Sequence, residues 1–403
     1  MTPGSARERL AIDGGVPVRR EILVFGSPDI RDPEIREVEA TLRSGWIGTG
    51  PRVARFEEAF REYVGARFAM ALNSCTAGIH LSMIAVGVRP GDEVITCPMT
   101  FASSANAILH VGATPVFVDC DRETLCIDPA SVETRVTERT RALLPVHFAG
   151  RAAEMTPLEA IARRRGLRIV EDAAHAIETV HGGRKIGTIG DCTAFSFYVT
   201  KNVVTGEGGI VTTDDPAIAD WIKIAGLHGL SRDAWKRYSD EGYRHYEVVF
   251  PGFKYNMMDL QAALGIHQLA RVEENLARRE AIWQRYAEAF ADLPLRVPPE
   301  PPAGDRHARH LFVILLELER LTRTRDQVLQ ALHAEGIGTG VHYRPLHLHP
   351  CYQERLGVRA GQFPNAEWVG ERTLSLPFST KLSNDDVDDV IRAVRKVLRG
   401  AEA

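Results

Sequence analysis

From Asp92 onward short apolar, β-branched runs alternate with stretches whose apolar residues recur every three to four positions. In "DEVITCPMTFASSANAILHVGATPVFVD" this spacing predicts a strand, a loop, a helix over Ala102 to Val111 and a strand over Pro115 to Val118. "RALLPVHFAG", "TPLEAIARRRG" and "LRIVED" continue the theme as strand, helix and strand. Strands separated by helices pair in parallel through crossovers, which implies an α/β protein with a mostly parallel sheet covered by helices. Ligands of such sheets collect beyond the carboxyl ends of the strands. The segments placed there are "PMTF", "HFAG", "EDAAHA" and "YVTKN".

The pattern changes after Gln261. A long charged helix, "LARVEENLARREAIWQRYAEAFADL", leads to the proline cluster "RVPPEPPAG". Beyond it come a strand over Leu311 to Leu316, a helix over Arg325 to Glu335, a histidine-rich loop and a helix over Asp385 to Leu398. The expected organisation is an arm over 1–30, a large domain over 31–260, a linker helix and connection over 261–297, and a smaller C-terminal α+β domain over 298–403. The apolar run from Phe68 to Val88, broken by Asn73, Ser74 and His80, reads as a buried loop and helix rather than a membrane span.

Composition narrows the function classes. The chain has 403 residues, 44% hydrophobic and 25% charged, which suits a folded protein with two lobes. Lys plus Arg number 49 against 53 for Asp plus Glu, a formal net charge of -4, so no global basic field exists for nucleic acid or an anionic membrane. Six scattered cysteines without a CxxC pair, and an N-terminal segment lacking an apolar signal core, predict reduced thiols and a cytoplasmic protein.

Three motifs carry candidate chemistry. In "ALNSCTAGIHLSMIAVG" small residues around Thr76 open a helix, whose unpaired N–H groups suit either a phosphate or ordinary capping. In "RIVEDAAHA" Glu171 and Asp172 close a strand, where a carboxylate caps a helix, binds a metal or pairs with a buried cationic N–H; His175 lies three residues on. In "FSFYVTKNVVTGEGGIV" Lys201 sits between an aromatic run and glycines. A lysine there either snorkels to water or is desolvated and becomes a nucleophilic amine. A phosphate seat, a carboxylate and an amine in this order match the needs of pyridoxal phosphate: an anchor, a partner for the ring nitrogen, and a Schiff-base amine.

The same stretches, with "SGWIGTGPRVARFEEAF", "FKYNMMDLQAALG" and "VHYRPLHLHPCY", give the chain a close resemblance to the nucleotide-sugar (DegT-type) aminotransferases. These are fold-type-I pyridoxal-phosphate enzymes. The resemblance implies that Lys201 bonds the cofactor and shuttles the proton, that Asp172 pairs with the pyridinium, and that Cys75, Thr76, Ala77 and Ser196 hold the phosphate. It implies further that Phe101 stacks on the ring, that His175 stands where many members have glutamine, and that Asn256 reaches the phosphate of a dimer partner. Trp46, Tyr198, His342 and Arg344 are expected at the substrate. The implied reaction moves an amino group from L-glutamate to a nucleotide-linked ketosugar, a dTDP-4-keto-6-deoxyhexose aminated at C4, in antibiotic or cell-surface glycan biosynthesis. A C3 or cyclitol aminotransferase, a sugar dehydratase and a non-catalytic regulator are the alternatives. The dehydratases replace the lysine with histidine, which Lys201 argues against. No metal is expected at His342, His347 and His349, which no cluster of cysteines or carboxylates accompanies.

Overall fold

The computed structural model describes residues 8–231 and 246–402. Strands β1 (Phe68–Leu72), β2 (Glu93–Thr96), β3 (Thr114–Phe117), β4 (Thr140–Leu144) and β5 (Arg168–Asp172) precede a short ribbon of β6 (Val180–His181) and β7 (Arg184–Lys185). After it come β8 (Cys192–Ser196) and β9 (Gly209–Thr213). The main sheet has the order β1-β9-β8-β5-β4-β2-β3. Every pairing is parallel except the two that β9 makes with its neighbours, so β9 alone runs backwards. The reversal places Gly209 opposite Ser196. The start of β9 thus joins the edge where all other strands end.

The Phe68–Val88 run corrects the sequence expectation. It opens with strand β1 rather than a loop, because Phe68 to Leu72 pair residue by residue with Thr213 to Gly209. The helix Cys75–Ala85 follows after only two residues. Its packing needs glycine at two places. A Cβ on Gly209 would lie 2.4 Å from the Cys75 nitrogen, and one on Gly78 would lie 2.9 Å from a Val211 methyl. The first contact fixes how closely β9 approaches the start of that helix.

The long helix predicted over Leu269 to Leu293 is observed as Val272–Ala289, and its first two residues belong instead to a preceding helix, Asp259–Ala270. Arg271 between them leaves helical geometry, with its guanidinium held by the Asp29 carbonyl at 2.6 Å and by buried Glu34. Asp259 caps a neighbouring helix, Pro51–Val64, accepting from the N–H groups of Arg52 and Val53 at 3.1 and 2.9 Å.

The C-terminal region forms a second sheet of β10 (Leu295–Arg296), β11 (Phe312–Leu316) and β12 (Thr373–Leu376), all antiparallel. The predicted helices are Arg325–Ala334 and Asn384–Gly400. Val387, Val390, Val394 and Val397 recur at helical spacing and are fully buried with Phe312, Ile314 and Leu374. Ser383 caps the last helix through the Asp386 N–H at 3.1 Å. No helix among the described residues is long and apolar enough to cross a membrane.

Candidate active site

The ends of β1, β2, β4, β5 and β8 and the start of β9 surround a cleft of ≈ 610 Å³, closed on one side by Val341, His342 and Tyr343. Lys201 and Asp172 face it together. Successive side chains on a strand point to opposite faces, so Glu171 and Asp172 part company. Glu171 points away and is satisfied by the Gly190 N–H at 2.8 Å, the Thr193 hydroxyl at 2.7 Å and His147 Nε2 at 2.9 Å. Burial opposes its charge, but these donors outweigh it and hold its carboxyl below the usual range. Asp172 accepts only from Ser104 Oγ at 2.7 Å and the Ala174 N–H at 3.1 Å. Burial wins there and raises its carboxyl pKa, against the pull of these donors and of Lys201.

Lys201 follows β8 in a turn closed by its own N–H on the Tyr198 carbonyl at 2.8 Å. Its Nζ makes no hydrogen bond or ion pair among the described residues. Desolvation lowers its pKa to about 8, with Cys75 and Asp172 pulling it back up. The bland course for this residue, a solvated strand lysine, does not fit a half-buried amine aimed into a cleft beside a carboxylate.

Of the residues expected at the site, Cys75, Thr76, Phe101, Asp172, His175, Ser196, Tyr198, Lys201 and His342 line the cleft. Ala77 does not; its N–H is taken by Ser74 Oγ at 3.1 Å, the cap of the helix. Arg344 points elsewhere, donating to the Leu348 carbonyl at 3.0 Å. Trp46 and Asn256 line a separate pocket of ≈ 500 Å³ with Glu57, Met70 and Lys223. There Asn256 donates to Thr49 Oγ1 and accepts from Lys254 Nζ, both at 2.6 Å. His347 is buried against Glu367 at 2.9 Å, and no group of three or more His, Cys, Asp or Glu able to hold a metal occurs among the described residues.

Three neutral imidazoles surround the amine. His175 accepts from the Ala149 N–H through Nδ1 at 3.2 Å, which leaves Nε2 to donate to the Tyr343 hydroxyl at 3.4 Å. Burial and the Lys201 charge push its pKa well down, as they do for His310, whose ring lies tilted against that of His175 with centroids 4.4 Å apart. His342, bonded to Ser375 at 2.8 Å, is lowered to about 4 by the same two causes. Sequence reasoning missed Ser104, Tyr343 and His310. Ser104 lies one helical turn beyond Thr100 in a stretch already singled out, whereas Tyr343 and His310 arrive from the C-terminal region with no local signal.

These residues fit pyridoxal phosphate. The amine lacks a partner and the buried carboxylate has acceptor capacity left. The ring of Phe101 is 63% exposed at the mouth, and the glycine contact at Gly209 keeps the start of the Cys75 helix open to an anion.

The arrangement defines a cofactor-binding aminotransferase fold, and comparisons with known proteins agree. The model of the DegT/DnrJ/EryC1/StrS aminotransferase family matches residues 28–395, and the chain belongs to that family. It is 50% identical over 388 residues to the spore coat polysaccharide biosynthesis protein SpsC of Bacillus subtilis, covering 96% of this chain and 100% of that one. Among solved structures, Spr1654 of Streptococcus pneumoniae in its PLP form superposes with a TM-score of 0.88 at 34% identity, covering 94% of this chain and 99% of that one. PseC of Helicobacter pylori, an aminotransferase involved in pseudoaminic acid biosynthesis, gives 0.87 at 27% identity, covering 94% and 100%. The protein is a pyridoxal-phosphate-dependent sugar aminotransferase.

Proposed function

We propose that the protein transfers the amino group of L-glutamate to a nucleotide-linked ketosugar, a dTDP-4-keto-6-deoxyhexose aminated at C4. The observation that carries the transfer chemistry is the unpartnered Lys201 amine, with a pKa near 8, facing Asp172 in an open cleft. The sugar assignment rests on the likeness of "KYNMMD" and "TFASSANA" to C4-acting relatives, and is supported by the carbohydrate pathways named for SpsC and PseC.

When bound, the cofactor supplies an electrophilic carbonyl for the amine and a ring that draws electrons from the substrate carbon. Lys201 supplies the nucleophile: burial lowers its pKa to about 8, so far more of its amine is unprotonated near neutral pH than for a solvated lysine. With the cofactor bound and the donor amine in its place, Lys201 Nζ would be the base that carries the proton in the 1,3-shift. Asp172, steadied by Ser104 and Ala174, would pair with the ring nitrogen and favour its protonated form. Cys75, Thr76 and Ser196 lie where the phosphate seat is needed. Phe101 and Tyr198, 63% and 45% exposed, flank the mouth as stacking surfaces. His342 stands on the opposite wall, toward the substrate.

We further propose a homodimer with shared sites. The cleft's described lining holds Lys201, Asp172 and Glu207 but no arginine, so the positive charge that a nucleoside diphosphate calls for comes from beyond it. Asn256 and Trp46, turned away from their own cleft, are then available to a second copy. Five of the six free cysteines are buried, which supports a reducing, cytoplasmic setting.

The test is an absorption spectrum of the purified protein before and after glutamate, followed by dTDP- and UDP-linked 3- and 4-ketosugars. A visible band bleached by glutamate and restored by one ketosugar supports the reading and names the substrate. A band deaf to every donor overturns it in favour of a dehydratase or a silent binder.

A further inference from the structure

Lys201 lines two cavities. One is the cleft described above; the other is a small chamber of ≈ 40 Å³ behind it, bounded also by Ser27, Asn202, Asn275, Arg279 and His310. The chamber is polar and has unspent hydrogen-bonding capacity. Arg279 Nε is buried without a partner, although its Nη2 pairs with Glu178 and keeps the local charge balanced. The Asn275 side chain makes no hydrogen bond among the described residues. At about 10–15 Å³ per water, the space holds about three to four ordered waters or the end of one flexible side chain.

His310 is built to receive a donor there. The Asn202 amide gives its N–H groups to Glu178 Oε2 at 2.8 Å and to the Ala308 carbonyl at 3.0 Å, so its oxygen must face His310 Nδ1, 3.0 Å away. That bond puts the imidazole proton on Nδ1 and leaves Nε2 a bare acceptor. Nε2 has no partner among the described residues, yet it is not sealed away as a buried orphan. His175 cannot serve the same purpose, because both of its nitrogens are engaged. His342 has one nitrogen to spare but lies on the wall of the front cleft.

We propose that this rear chamber receives the Lys201 amine between its proton transfers while it is not bonded to the cofactor, with His310 Nε2 accepting its hydrogen bond directly or through one ordered water. The inference rests on the transaminase reading. In it the donor amine displaces Lys201, which then needs a defined place close to the substrate carbon and clear of the incoming sugar. A four-carbon stem rooted between the two cavities can swing between them by side-chain rotation alone. His310 is on this account a positioning residue: it acts through Lys201 and touches no substrate. Asn202, next to Lys201 in the chain, and Glu178 fix the tautomer that makes His310 an acceptor.

The deciding experiment is a crystal structure of the full-length protein loaded with pyridoxamine phosphate, the form in which Lys201 is free. It requires neither donor nor ketosugar, so it stands even if the substrate assignment falls. Lys201 Nζ within about 3 Å of His310 Nε2, or joined to it by one water, is the expected result. Nζ lying forward against Asp172 or His342 overturns the proposal. In the same loaded form, trace acetylation of Lys201 read by mass spectrometry should speed up about tenfold in His310→Phe and return most of the way in His310→Gln, whose amide oxygen can accept. Turnover of His310→Phe should fall about tenfold in kcat with KM for glutamate within about twofold. If His310→Phe alters only the melting temperature, with labelling and kcat as in the wild type, His310 is structural and the proposal fails. A wild-type spectrum that glutamate leaves unchanged rejects the donor assignment instead, and the crystal structure still decides the chamber.

Discussion

The Lys201 cleft and the Trp46–Asn256 pocket are of similar size, and both draw on residues that the family resemblance assigned to cofactor or substrate, Asn256 to those of a partner copy. They differ in what their polar groups have left to give. In the first, the lysine amine is unpartnered and the Asp172 carboxyl keeps acceptor capacity in a desolvated setting. In the second, Asn256 is engaged on both sides, Trp46 Nε1 donates to the Thr49 carbonyl at 3.0 Å, and Glu57 accepts from the Ala71 N–H at 2.8 Å. Unspent bonding capacity marks the place where chemistry happens. The second pocket is partly apolar and rimmed by the exposed Trp46, the surface proposed to meet a second copy.

The comparison can be broken most severely at Lys201. Lys201→Ala should lower turnover by at least about 10⁴-fold while leaving the circular dichroism melt cooperative, and near-normal activity would refute the assignment. Asp172→Asn should lower kcat by about 10²-fold, because a neutral amide no longer favours a protonated ring nitrogen. It should also move the pH dependence of cofactor capture. The amine reacts in its unprotonated form, so in wild type the capture rate rises with pH and levels off above about 8. Asp172 pulls the Lys201 pKa upward, so the variant should level off at lower pH; a plateau at higher pH would contradict the electrostatics.

Asn256→Ala should cost about tenfold in activity, and it separates the two pockets cleanly. If Asn256 serves a partner's site, mixing it with inactive Lys201→Ala should form hybrid dimers that regain activity above either parent. No gain on mixing, with dimers shown by sedimentation, would return Asn256 to a purely local role. The smallest effect is at Glu57, whose pKa burial raises to about 7. The folded protein therefore holds this proton more tightly than the unfolded chain does, and the resulting stability is present below pH 4.5 and lost as pH rises through about 7. Glu57→Gln should flatten that part of the melting-temperature profile by a few degrees without touching kcat. An unchanged profile would mean that Glu57 ionises normally and that its pocket is wetter than its walls suggest.

Much of the fold was legible because its periodicities are local. The helix from Ala102, the strand ending at Asp172 and the valines of the last helix each announce themselves within about ten residues. The split at Arg271 was not legible, since its cause is a guanidinium held by Glu34 and Asp29, more than 230 positions away. Strand β1 was missed because an apolar run does not say whether its backbone partner will be a strand or a helix turn, and β9 comes from 140 residues downstream.

Sequence by itself determined the reagents: an amine at Lys201, a carboxylate at Asp172, and small residues beside Thr76 in the order a phosphate-bearing aldehyde cofactor needs. Those are covalent identities, carried by the chain whatever its shape. Only the tertiary structure decided which of two adjacent carboxylates would remain available, by the alternation of a pleated strand. It turned Arg344, Trp46 and Asn256 away from the Lys201 cleft and brought Tyr343 and His310 to its edge from a distant part of the chain. The lowered pKa of Lys201 has the same origin. Its pKa is a property of the solvent excluded around it, and solvent is excluded only once the segments that wall the cleft have come together.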